Sequence, residues 1–177
     1  MSKSFVHLHA HTEYSMLDGA AKIETYLDKV KELGQPGAAI TDHGNLYGAL
    51  EFYNSAIEKE LIPIIGYEAY VINDSRFERP DRENNKRYHL TLLAENTIGY
   101  WNLVNMASRA FTEGYYYKPR VDYELLKEHS EGIIALSGCL GGEISQFLAP
   151  DGSTEEGNKE GERSYSKALE KAKFYQS

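Results

Sequence analysis

A single cysteine among 177 residues excludes an internal disulfide framework. Cys139 is therefore a buried thiol, a metal ligand or a nucleophile. No apolar run approaches a membrane span, and Met1-Ser2-Lys3-Ser4 lacks the apolar core of a signal peptide, so a cytoplasmic location is expected. Positive charge is in deficit: Lys and Arg number 19 against 27 Asp and Glu, a formal charge of -8. Such a chain has no unaided attraction for nucleic acid, and an anionic substrate must be drawn in locally. Internal repeats and low-complexity tracts are missing as well. What is present, 41% hydrophobic and 26% charged residues, is the composition of one soluble globular domain or part of a larger one. A complete eight-unit α/β barrel takes about 250 residues and is excluded, but part of a barrel is not.

Short apolar runs alternate with segments of helical period, the pattern of βα units around a mainly parallel sheet. Five units are expected. Strands are predicted at Phe5 to about His9, Gly37–Thr41, Ile62–Gly66 with a possible extension to Ile72, Tyr88–Ala94 and Gly132–Ser137. Helices are predicted near Ala20–Leu33, with Ile23, Leu27, Val30 and Leu33 on one face and Gly34 as the stop, from about Asn45, and from Asn96 to about Phe111. A short helix capped by Asp122 precedes the fifth strand, and the Gly-rich turn Gly138–Gly142 follows it. Residues 73–87, with five basic and four acidic residues and no aliphatic anchor, read as a solvated loop, as do residues 151–163. A last helix, Glu162–Tyr175, has no strand after it, and the polypeptide is expected to continue past Ser177.

The strongest chemical signal is Phe5-Val6-His7-Leu8-His9-Ala10-His11-Thr12. On a strand, the alternation puts three imidazoles on one face. In an antiparallel hairpin that face would meet solvent; in a parallel sheet covered by helices it needs partners, and metal ions are the usual ones. Thr41-Asp42-His43-Gly44, Gly66-Tyr67-Glu68 and Cys139 follow strands, and Asp18 lies in the first strand-to-helix loop. Residues at the carboxyl ends of strands converge on one cavity in α/β barrels. His89, at the start of its run, fits that rule poorly. Tyr115, Tyr116 and Tyr117 beside Lys118 and Arg120 either stack a base and hold a phosphate or pack under a loop with solvated cations.

His9-Ala10-His11-Thr12, Thr41-Asp42-His43-Gly44 and Gly66-Tyr67-Glu68-Ala69 resemble the first motifs of the polymerase and histidinol phosphatase (PHP) superfamily. Thr12-Glu13-Tyr14-Ser15-Met16-Leu17-Asp18-Gly19, Tyr88-His89-Leu90-Thr91-Leu92-Leu93-Ala94, Tyr117-Lys118-Pro119-Arg120 and Ser137-Gly138-Cys139-Leu140-Gly141-Gly142 resemble, more narrowly, the N-terminal domains of bacterial DNA polymerase III alpha subunits. The resemblance covers almost the whole chain. It implies a distorted (β/α)7 barrel, incomplete here, as the N-terminal fragment of a replicative polymerase whose polymerase residues lie elsewhere. It implies two or three divalent metals, zinc or manganese with iron as a further option, on His9, His11, Asp18, His43, Glu68, His89 and Cys139. A final Asp-x-His motif has no counterpart in this chain. Glu68, His43 and Asp18 are the implied catalytic residues, with Glu68 bridging two metals; His7 and Asp42 stand behind the ligands, and Tyr117, Lys118 and Arg120 are candidate DNA contacts. The implied activity is proofreading 3'-5' hydrolysis of DNA. Implied partners are a primer end or product duplex, the rest of the polymerase, and exonuclease and sliding-clamp subunits, with no membrane. A non-catalytic metal-stabilised scaffold and a small-molecule phosphatase are the alternatives.

Overall fold

The computed structural model describes residues 5–81, 84–149 and 164–176, so the loop expected over 151–163 lies outside the described residues. The elements in order are α1 (Ile23–Glu32), β1 (Gly37–Ile40), α2 (Ala49–Glu58), β2 (Ile62–Ile72), β3 (Tyr88–Ala94), α3 (Thr97–Thr112), β4 (Arg120–Asp122), α4 (Tyr123–Glu128), β5 (Ile133–Leu136), α5 (Glu143–Leu148) and α6 (Tyr165–Gln176). In α1, Ile23, Leu27 and Val30 are buried at helical spacing. Each contributes about 1.5–3 kcal/mol by leaving water. Leu33, expected on the same face, lies past the last turn and is 57% exposed. Gly34, at φ +65, ends the helix as the sequence suggests. The Asn96 side chain accepts from Gly99 N at the start of α3, and Asp122 accepts from Leu125 N at the start of α4.

The fold is mixed α/β with a five-stranded sheet ordered β1-β2-β3-β5, β4 pairing with β2. Among the described residues the sheet does not close into a barrel. The eleven-residue β2 organises it: Ile62–Ile65 pair in parallel with β1, and Tyr70–Ile72 pair in parallel with β4. β3 is antiparallel to both β2 and β5, which corrects the expectation of a mainly parallel sheet. The physical reason is the β2–β3 connection, whose described residues hold no crossover helix and which returns the chain as a hairpin does. One face of β2 and β3, carrying Tyr67, Ala69, Val71, Leu90 and Leu92, packs on Leu103, Met106 and Ala110 of α3. The other carries Glu68 and Tyr70, paired with Thr91 and His89.

Three further expectations change. Residues 5–9 form no regular strand: the chain bends at Leu8 and His9, and the backbone bonds Ala39 N to His7 O (3.0 Å) and Thr41 N to Ala10 O (2.9 Å), with Ala10 N donating to Thr41 Oγ1 (2.8 Å), tie the segment to the β1 region. The helix expected near Asn45 starts at Ala49, because the Asn45 side chain instead accepts from Tyr47 N (3.0 Å) in a turn. The 73–87 loop is anchored, not merely solvated. Arg76 is 2% exposed, with Nη1 on Asp122 Oδ1 (2.8 Å) and Nε on Glu113 Oε2 (2.7 Å), so a cation supplies the anchor that aliphatic residues do not.

Candidate metal centre

Asp42, two residues past the end of β1, is buried and draws in the N-terminal loop. It accepts hydrogen bonds from Thr12 N (2.6 Å), Thr12 Oγ1 (2.7 Å) and Ser15 Oγ (2.8 Å), while His43 N donates to Ser15 Oγ (3.0 Å). This clasp fixes the segment that bears His9, His11 and Asp18 against the one that bears His43. Asp42 thus stands behind the candidate ligands. His7 does not: it is exposed, and its ring meets Phe5 edge-on at 4.8 Å, because the bend at Leu8 and His9 breaks the alternation that put it on the shared face.

Glu68 is 1% exposed and meets four imidazoles. His9 Nε2 and His89 Nδ1 contact its carboxylate directly, His43 Nδ1 lies at 3.3 Å and His11 Nε2 at 3.6 Å. The His11 and His43 rings stack at 4.0 Å. Two donor sets result, His9–His11–Glu68 and His43–Glu68–His89, with the donor atoms of each set within 4.8 Å of one another. Asp18 Oδ2 is 2.8 Å from His43 Nε2, and Cys139 Sγ is 3.7 Å from His89 Nδ1. All seven candidate ligands therefore meet in one place. Glu68 does so from mid-strand, not from a strand end, since β2 runs on to Ile72 and His43 bridges to it where β1 has stopped. His89 is explained by strand direction: β3 is antiparallel, so its first residues lie at the end where the parallel strands finish. The turn Gly138–Gly142 then folds over it, with Gly138 at φ +77 and His89 N bonded to Gly141 O (2.9 Å).

The charge states are those of an ion-paired cluster, whose raised imidazoles must give up their protons to coordinate a cation. Burial opposes ionisation of Glu68, but hydrogen bonds from His43, His89 and His9 outweigh it and hold the carboxyl well below its ordinary range. Burial likewise opposes charge on His89, yet Cys139 and Glu68 raise it to about 10. Hydrogen bonding from His89 lowers the Cys139 thiol, and hydrogen bonding to Glu68 raises His9. His43 is also raised, Glu68 and Asp18 overcoming its burial. His11 alone is lowered, by burial and then by the neighbouring His43. His11 Nδ1 is buried without a hydrogen bond, and His43 Nδ1 and Glu68 Oε1 are buried with only the ion-pair contacts of this cluster, poorly aligned for hydrogen bonding. Unsatisfied nitrogen and oxygen donors around a buried carboxylate fit divalent cations. A cavity of about 1300 Å³ opens beside them; Asp18, His43, His89 and Cys139 line one side, and Tyr47, Phe111, Tyr115 and Tyr117 the other.

A family model described as PHP domain matches residues 7–177. The chain belongs to the PHP domain family. It is 56% identical over 151 residues, 83% of its length, to the DNA polymerase III subunit alpha of Thermus aquaticus. It is 47% identical over 175 residues, 99% of its length, to that of Helicobacter pylori. This PHP domain chain spans 12% and 14% of those two relatives. A looser likeness, TM-score 0.45 and 20% identity over 62% of this chain and 34% of the other, is to a metal-dependent phosphoesterase structure from Bifidobacterium adolescentis, and at that distance it carries no argument.

Of the candidate DNA contacts in this PHP domain, Tyr117 and Lys118 line the cavity. Arg120 does not. It is 1% exposed, and its guanidinium donates to the carbonyls of Gly114 (2.9 Å), Arg76 (2.9 Å) and Glu78 (2.6 Å), so it is a bolt inside the fold, buried away from any phosphate in the cavity. The sequence reading also missed Tyr70, whose ring stacks on His43 at 6.1 Å and meets His89 edge-on at 5.4 Å. The i, i+2 spacing from Glu68 on a strand was the available signal. Lys86 and Arg87, dismissed with their loop, line the cavity as well.

Proposed function

We propose that this chain is the N-terminal PHP domain of a bacterial DNA polymerase III alpha subunit acting in DNA replication, and that its His–Glu centre hydrolyses phosphodiester bonds at a DNA 3' end. The observation that carries the reading is Glu68, one buried carboxylate shared by two sets of donors. His9, His11 and Glu68 would hold one divalent ion and His43, Glu68 and His89 a second, with Asp18 and Cys139 at their margins. Zinc, manganese and iron all suit imidazole and carboxylate donors. When bound, paired divalent ions supply a water of lowered pKa and positive charge against phosphate oxygens. The chain's own residues do the rest. Asp42 fixes the loop that carries His11 and Asp18. Asp18, on the solvent side of His43, is placed to hold a proton between His43 Nε2 and the substrate. Lys118, Lys86 and Arg87 bring positive charge to an acidic domain at the cavity where an anionic strand must enter.

A distorted (β/α)7 barrel would be completed by further strands, with the rest of the polymerase, a primer end or product duplex, and exonuclease and clamp subunits as partners. The scaffold alternative calls for donors replaced by residues that cannot coordinate, and all seven are in place. A small-molecule phosphatase is disfavoured by a cavity larger than the roughly 300–1000 Å³ usual for small ligands. The test is removal of nucleotides from a 5'-labelled single-stranded DNA by protein stripped with chelator and reloaded with manganese or zinc. Stepwise shortening from the 3' end that needs the metal is the expected result. No metal-dependent shortening of any DNA end would transfer the centre to the scaffold role.

A further inference from the structure

Tyr117 has φ +61, in the left-handed region that a bulky aromatic residue rarely adopts. Strain of that kind persists only where the surroundings enforce it. On one side Tyr116 N bonds to Lys118 O (3.0 Å) in a tight turn. On the other, Pro119 packs on the His43–Gly44 turn so closely that a Cβ on Gly44 would lie 2.9 Å from Pro119 Cγ, and Arg120 is bolted inside by three carbonyls. Lys118 Nζ sits 5.2 Å above the ring of Tyr70, which itself touches His43 and His89. The turn is thus wedged against the metal centre, and the enforced conformation gains no burial: Tyr117 is 63% exposed, its ring meeting Tyr116 edge-on at 4.7 Å. It is presented at the cavity, not packed.

A second set of rings lines the same cavity. Phe111 lies between Tyr47 and Tyr115, 6.0 Å from each and inclined by 32° and 16°, and Tyr47 and Tyr115 are 66% and 52% exposed. Flat aromatic faces interleaved with cations beside a phosphate-directed centre match the chemistry of an unpaired polynucleotide, whose bases stack while its phosphates meet positive charge. We propose that Tyr117 and the Tyr47–Phe111–Tyr115 ledge stack the unpaired bases of a DNA strand end, so that this site takes a polynucleotide and not a small phosphate ester. The role in catalysis rests on the phosphodiesterase reading above, whereas the stacking can be read without it.

The experiment compares two labelled strands about eight nucleotides long, oligothymidylate and its abasic counterpart with the same phosphates, by fluorescence anisotropy against this chain in chelator at low salt. Oligothymidylate should bind about tenfold or more tightly than the abasic strand. Tyr117→Gly, which accommodates a positive φ, should melt no lower than wild type yet lose most of that preference. Tyr117→Phe should keep the preference. Equal affinity for the two strands, or a preference intact in Tyr117→Gly, overturns the proposal and leaves the rings to a protein surface. A marked fall in melting temperature for Tyr117→Gly also overturns it, since the ring would then be packing. Metal-dependent cleavage of bis(4-nitrophenyl) phosphate, run alongside, tests the hydrolytic reading alone; its absence would sink that reading and leave the stacking result standing.

Discussion

Replacing Glu68 by Gln keeps the side-chain volume and removes the one group common to both donor sets, His9–His11–Glu68 and His43–Glu68–His89. A ligand that binds only the native state and is present at about 100 times its Kd stabilises that state by about 2.7 kcal/mol. Two ions give about twice that, and at roughly 2–4 °C per kcal/mol for a chain of this size, saturating zinc should raise the melting temperature by about 10–20 °C. Glu68→Gln takes the anionic oxygen from both sets at once, so the zinc-dependent rise should fall to about 3 °C or less. His11→Gln and His89→Gln each touch a single set and should retain about half of the rise. Calorimetry on chelator-stripped protein with and without zinc reads the shift, and elemental analysis counts the ions. Using the increment on metal addition separates coordination from any change in the stability of the metal-free fold. If Glu68→Gln binds two ions and keeps the full rise, the shared-carboxylate centre is wrong.

Asp122→Ala should destabilise strongly, because it strips α4 of its cap and leaves the buried Arg76 guanidinium without its buried partner. The expected loss is about 3–5 kcal/mol from the ion pair and about 1 from the cap, measured by urea unfolding. A loss below about 1 kcal/mol would show that the 73–87 loop is held by something else. The Glu113 carboxyl is held below its ordinary value of 4.5 by Arg109 and then Arg76, so its contribution is present above that pH and is lost as pH falls through the lower folded value. Melting temperatures from pH 6 downward should therefore decline less steeply in Glu113→Gln than in wild type, and identical slopes below pH 4.5 would refute the pairing.

Features that depend on local spacing were legible in the sequence. The α1 stripe, the Asp122 cap and the Gly34 stop follow from helical period and short-range hydrogen bonds. Features set by partners far along the chain were not. Nothing near Arg76 announces Asp122, 46 residues on, so a buried latch reads as a solvated loop. Arg120-Val121-Asp122 is too short for a strand pattern and becomes β4 only by lying along β2. In the site, residue types and order pointed to His9, His11, His43 and Glu68, but the geometry did not follow: strand direction explains His89, and β2 places Glu68 inside the sheet. Arg120 carries the same warning, since a cation beside tyrosines looks like a DNA contact until three carbonyls claim it.

The irregular N-terminal segment has a consequence beyond chemistry. β1 is Gly-Ala-Ala-Ile, buried throughout, and pairs with β2 along one edge; along the other, among the described residues, it has residues 7–10, joined by two backbone hydrogen bonds. An apolar strand with an open edge invites pairing with a second chain, and natural folds protect such edges. Here the guard is the stretch that carries His9 and His11, so the contacts that gather the donors around Glu68 also keep the guard shut. Loosening His9 and His11 would expose a row of backbone amides and carbonyls on a sticky strand, and self-association would accompany loss of the centre.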